Sequence, residues 1–156
     1  MGLIFTKDKK EKIINKIYNS FYEKENLITK IKFDDLECDA IIVTKKGIFI
    51  FEIITNSYSL DKYQLNDELW IIDEKTSIKN PLIKLNLIKE KILEILKEYS
   101  LDNNIYLCPI FNKLDNDSEE IIFNLKGFKR YIEKINNVFN NDEINFYTSL
   151  IKNKSN

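Results

Sequence analysis

Between Thr6 and about Tyr22, Ile13, Ile14, Ile17, Tyr18 and Phe21 recur at helical spacing while Lys9, Lys10, Lys12 and Lys16 fill the other face. This pattern predicts an amphipathic first helix. "NLITKIKF" then changes period: Leu27, Thr29, Ile31 and Phe33 alternate with Ile28, Lys30 and Lys32, as in a half-buried strand. The runs "LECDAIIV" and "IFIFEII", joined by "TKKG", read as a hairpin with Gly47 in a left-handed position of the loop. "ELWII" predicts a fourth strand.

Asn80-Pro81 opens the strongest helical pattern, with Leu82, Leu85, Ile88, Ile92, Ile95, Leu96 and Tyr99 down one side. "NIYLCPIF" follows as an apolar strand, "DNDSEE" as an acidic loop and "EIIFNL" as a short strand. Leu125, Phe128, Tyr131, Ile132 and Ile135 predict a third helix, and "DEINFYTSLIKN" a last one capped by Asp142. The element order gives an α/β (α+β) fold, a mixed central β-sheet flanked by helices. No repeat or linker divides residues 1–156, so a single domain is expected.

Composition narrows the chemistry. The chain has no histidine, which removes the commonest general base and every Ser-His or Cys-His nucleophile system. A formal net charge of -1 supplies no global field for nucleic acid or membranes, so such contacts must come from local patches. Cys38 and Cys108 lack CxxC spacing and are expected to be buried free thiols. With no leader pattern and no apolar run of ~20 residues, the expectation is a cytoplasmic protein with no membrane partner. A homodimer is the assembly expected of so short a chain.

The hairpin holds an unusual feature. Glu52 interrupts the apolar run "GIFIFEII". If "TKKG" is the loop, Val43 faces Ile48, and the same register sets Asp39 opposite Glu52 and Glu37 opposite Ile54. Two carboxylates on one face, with Cβ atoms about 4.5–5.5 Å apart, need a raised pKa or an intervening cation. Mg²⁺ or Mn²⁺ suits such oxygen donors. The alternatives are an Asp39 in solvent at a sheet edge and a Glu52 that is neutral or paired with a lysine.

"ECDAIIVTKKGIFIFEI", the Trp70 strand and "NPLIKLNLIKEKIL" together resemble the nuclease-related domain (NERD), a branch of the PD-(D/E)xK restriction-endonuclease-like superfamily. The matching residues are Glu37, Asp39, Gly47, Glu52, Trp70, Asn80 and Pro81, and the resemblance spans about residues 10–125. It implies a divalent-metal-dependent nuclease acting on DNA, with Asp39, Glu52 and the Ile53 carbonyl as metal ligands and Glu11 as a further acid. The family's motif lysine is Ile54 here, and Lys84 stands where a Gln usually follows the Asn-Pro.

An alkyl side chain can neither contact a phosphate oxygen nor influence the proton on a water. A lysine from a neighbouring element could, since its stem reaches ~6 Å, and Lys84, Lys62 and Lys45 are the candidates, Lys84 foremost. The alternative is a nuclease fold that has lost catalysis and binds nucleic acid or a protein partner. Lys126, Lys129, Arg130 and Lys134 could contact a phosphate backbone, but the expected role of that face is the wet side of a core helix.

Overall fold

The computed structural model describes residues 2–21, 26–55, 66–71, 76–112 and 123–155, with the side chains of residues 2–8 left aside. Helix α1 (Gly2–Tyr18) is followed by β1 (Asn26–Phe33), β2 (Leu36–Thr44) and β3 (Gly47–Ile54). A small pair, β4 (Leu69–Ile71) and β5 (Ser77–Lys79), leads into α2 (Pro81–Ile95), and β6 (Ile105–Phe111), α3 (Leu125–Glu133) and α4 (Asn141–Lys154) complete the order. The main sheet runs β1-β2-β3-β6, with the first two pairings antiparallel and β3-β6 parallel. This is the mixed sheet with flanking helices that the element order predicts.

Helices cover both faces. Leu85, Ile88 and Ile92 of α2 and Ile144, Tyr147 and Ile151 of α4 pack on one side, against Ile41, Val43, Ile48 and Ile50. Ile14 and Ile17 of α1 and Phe128 and Ile132 of α3 pack on the other, against Ile42, Phe49, Phe51 and Ile53. Burial on both faces explains why "IFIFEII" lacks polar alternation. A third, smaller cluster joins Trp70 and Phe111 to Ile54, Ile78 and Leu82.

Several boundaries differ from the sequence reading. The first helix begins before Thr6 and ends at Tyr18 rather than near Tyr22. Its end is fixed by the Ser20 hydroxyl donating to the Lys16 carbonyl at 2.7 Å, after which Phe21 folds into the core against Phe49. β4 pairs with β5 instead of joining the main sheet, whose fourth strand is β6. α4 is capped by Asn140, not Asp142: Asn140 and Glu143 exchange side-chain-to-backbone bonds in a capping box. Of "EIIFNL", Phe123 forms a parallel bridge to Ile110, and the "DNDSEE" loop lies outside the described residues.

The β2-β3 hairpin keeps the expected register, Val43 facing Ile48, but its ladder closes at Thr44↔Gly47, so only Lys45 and Lys46 form the loop. Gly47 has φ +141°, and a Cβ there would meet the Asn104 carbonyl oxygen at 2.6 Å and the Tyr106 ring at 2.8 Å. Close approach of β6, beyond the turn itself, selects glycine. Both cysteines are buried free thiols.

Candidate functional site

The regular ladders break at Asp39. Pairing of β2 with β1 passes from Thr29↔Ala40 to Ile31↔Cys38, leaving out Lys30, whose φ is +54°, and Asp39. Pairing of β2 with β3 stops at Ala40↔Phe51, one step short of Asp39 and Glu52. The sheet faces also exchange here: Ile41 and Val43 point toward α2 and α4, and so does Cys38, although a regular strand would send it to the other side.

This local twist decides how the two acids meet. Instead of lying side by side on one face, Asp39 turns an oxygen into the strand gap and accepts the Ile53 N–H at 2.7 Å. It thus replaces a ladder bond with a side-chain bond and satisfies a backbone donor. Lys10, from α1, adds an ammonium 3.2 Å from Asp39 Oδ1 and 3.5 Å from Oδ2. Glu52 sits on the α2 side, and Lys84 donates to its Oε1 at 2.7 Å.

Each acid therefore has its own lysine, approaching from helices on opposite faces. The side chains are partly screened from water, Glu52 at 18% exposure and Asp39 at 20%. Burial, followed by the charge of Asp39, pushes the Glu52 carboxyl above its ordinary range, while Lys84 and Lys10 pull it back. The neighbouring Cys38 thiol is pushed up to about 12, mainly by burial and then by the charges of Glu52 and Asp39. That thiol stays protonated and is no nucleophile at neutral pH.

Lys84 is held where it is by the start of α2. Asn80 is buried, and its Oδ1 accepts the Leu82 N–H at 2.9 Å while its Nδ2 donates to the Asp67 carbonyl at 2.8 Å. Its own N–H donates to the Glu68 carbonyl at 2.8 Å. Pro81 then occupies the first helical position, where no N–H is needed. A cation so close to a helix N-terminus meets the unfavourable end of the dipole, which the Glu52 carboxylate offsets.

A cleft of about 810 Å³ opens over this arrangement. Glu52, Ile53, Ile54, Lys10 and Lys84 line it, together with apolar side chains including Leu69, Ile83 and Leu87. Ile54 contributes an apolar wall backed by Trp70 and Phe111. Glu37 is exposed and stands opposite Lys32 of β1 in the strand register.

The sequence-derived candidates thus sort by position. Asp39, Glu52, Ile53 and Lys84 come together, whereas Glu11 is exposed on α1 next to Lys10. Lys45 lies in the hairpin turn at the far end of β3, roughly 20 Å of strand from Glu52, beyond the reach of its stem. Lys62 is outside the described residues.

The sequence pattern predicts Lys10 on the polar face of α1, whereas Lys10 reaches Asp39 at the sheet, and a signal for this was present. Lys10 precedes Ile13, Ile14 and Ile17 at helical spacing, so it lies on the apolar stripe while Lys9, Lys12 and Lys16 lie off it. Among the described residues no group of three or more His, Cys, Asp or Glu could hold a metal. The two carboxylates are nonetheless hard-oxygen donors of the kind Mg²⁺ and Mn²⁺ take.

A four-stranded mixed sheet flanked by helices is consistent with a restriction-endonuclease-like fold, and the two acids meet where its ladder breaks. The family model of the nuclease-related domain, NERD, matches residues 6–112, and the chain belongs to that family. The match runs from α1 to the end of β6 and includes Lys10, Asp39, Glu52 and Lys84. No curated protein and no solved structure matches the chain. No helix among the described residues is long and apolar enough to cross a membrane.

Proposed function

We propose that this chain is a divalent-metal-dependent nuclease acting on DNA, in which Lys84 of α2 serves in place of the motif lysine that Ile54 has replaced. The observation that carries this reading is the 2.7 Å contact between Lys84 Nζ and Glu52 Oε1 in the cleft that Ile54 also lines. Lysine's function at such a site needs an ammonium near the acids, whichever backbone position supplies it.

Asp39 and Glu52 would hold Mg²⁺ or Mn²⁺. The Ile53 carbonyl would be the third donor, because N–H and C=O of one strand residue face the same edge and the Ile53 N–H already faces Asp39. A role for Glu11, exposed on α1, would run through bound water. When bound, such an ion polarises a phosphoryl oxygen and lowers the pKa of a bound water. Lys84, a compact charge on a flexible stem, swings from Glu52 to a phosphate oxygen, and Asp39 keeps the Ile53 peptide oriented.

The test is cleavage of plasmid DNA with Mn²⁺ by the wild type, Asp39→Asn and Glu52→Gln. Cleavage by the wild type alone supports the reading; cleavage that survives both substitutions rejects it.

One observation favours a second reading, a catalytically inactive module that binds nucleic acid or a protein. Both acids are already neutralised by lysines. That reading expects no turnover with any divalent metal and DNA binding that survives EDTA.

A further inference from the structure

Lys10 and Lys84 are the resident counter-ions of Asp39 and Glu52, and their four side chains sum to zero charge. A divalent cation added to this cluster without rearrangement would leave an excess of two positive charges where the side chains are 18–37% exposed. It would also compete for the same atoms, since Lys84 contacts Glu52 Oε1 and Lys10 lies within 3.5 Å of both Asp39 oxygens. Cation and ammonium cannot share those oxygens at full strength.

Both ammonium groups, once displaced, remain in one cleft, because Lys10 and Lys84 line it from opposite helices. An anion with several acceptor oxygens is what two such donors fit, and a phosphodiester supplies both the charge and the oxygens.

We infer that Lys10 and Lys84 couple the entry of cation and phosphodiester: the cation displaces the two lysines from the carboxylates, and the phosphodiester receives them. The inference rests on the reading of Asp39 and Glu52 as cation donors. In this scheme Lys10 acts on the cation through Asp39 and on the phosphodiester directly. Each ligand strengthens the other by the same factor, as linkage requires.

Calorimetric titration of the full chain with Mn²⁺, with and without the dinucleotide thymidylyl-thymidine, tests this. The dinucleotide should tighten Mn²⁺ binding to the wild type about tenfold, within the usual range of coupling. Lys10→Met should bind Mn²⁺ about tenfold more tightly than wild type without the dinucleotide, and should lose most of the coupling. Lys10→Arg, which keeps the charge, should stay near wild type and so separates charge from packing.

Equal Mn²⁺ affinity in wild type and Lys10→Met, with binding still lost in Asp39→Asn, overturns the inference and leaves the proposed site standing. Absence of Mn²⁺ binding in both wild type and Lys10→Met overturns the site and the inference together.

Discussion

Lys84 Nζ lies 2.7 Å from Glu52 Oε1, joining the first turns of α2 to the C-terminal end of β3. The contact spans 32 residues of chain. It exists because Asn80 ties the start of α2 to Asp67 and Glu68, and because Lys84 falls on the same stripe as the buried Pro81, Leu85 and Ile88. A lysine on that stripe is aimed at the sheet, and Glu52 is the acid it meets.

Burial and the Asp39 charge raise the Glu52 pKa, which fixes the sign of a stability effect. The folded state holds the Glu52 proton more tightly than the unfolded state, so this contribution is fully present below about pH 4.5 and is lost as pH rises through the folded value. Glu52→Gln removes it. The stability of wild type relative to Glu52→Gln should fall as pH is raised from 4 to 8 in urea unfolding experiments. Parallel pH profiles would show that Glu52 is not destabilised by its setting.

Asn80→Ala removes the N-cap acceptor of α2 and the donor to Asp67. The expected loss is about 1–2 kcal/mol. Thermal unfolding should show it as a drop of roughly 2–4 °C per kcal/mol. The loosened helix start should also reduce any DNA cleavage, because Lys84 follows in the next turn.

Gly47→Ala should be costlier still. It places a Cβ 2.6 Å from the Asn104 carbonyl oxygen at a φ of +141°. Backbone strain and the clash together should cost at least about 2 kcal/mol. Denaturant unfolding measures this directly, and divalent metal should not change the difference, since Gly47 sits at the opposite end of β3 from Glu52.

Much of this was legible in the chain, and the reasons for the misses are specific. The apolar periods of α2, β2, β3 and β6 are long and uniform, and the hairpin register followed from Val43 and Ile48. That register could not reveal the twist at Lys30 and Asp39, because a positive φ at a lysine has no sequence signal. The two acids were therefore expected on one face, whereas Asp39 turns to Ile53. β5 was missed because three residues, "SIK", carry too little pattern to mark a strand. Lys10 sat among many lysines, and only its phase against Ile13, Ile14 and Ile17 set it apart.

Ile54 also gains meaning from its surroundings. It packs against the cluster of Trp70 and Phe111, so a lysine restored there would carry a charge against an apolar wall. Ile54→Lys should destabilise the chain by about 1–3 kcal/mol in denaturant unfolding. An unchanged unfolding midpoint would show that the wall accommodates an ammonium freely.

The most direct measurement is the rate of plasmid cleavage in Mn²⁺ by wild type and Lys84→Met, both verified as folded. If Lys84 supplies the missing ammonium, wild type cleaves and Lys84→Met is slower by about 10²–10³-fold, the usual cost of removing one electrostatic donor. Equal rates in the two proteins, or no cleavage by wild type, would contradict that role.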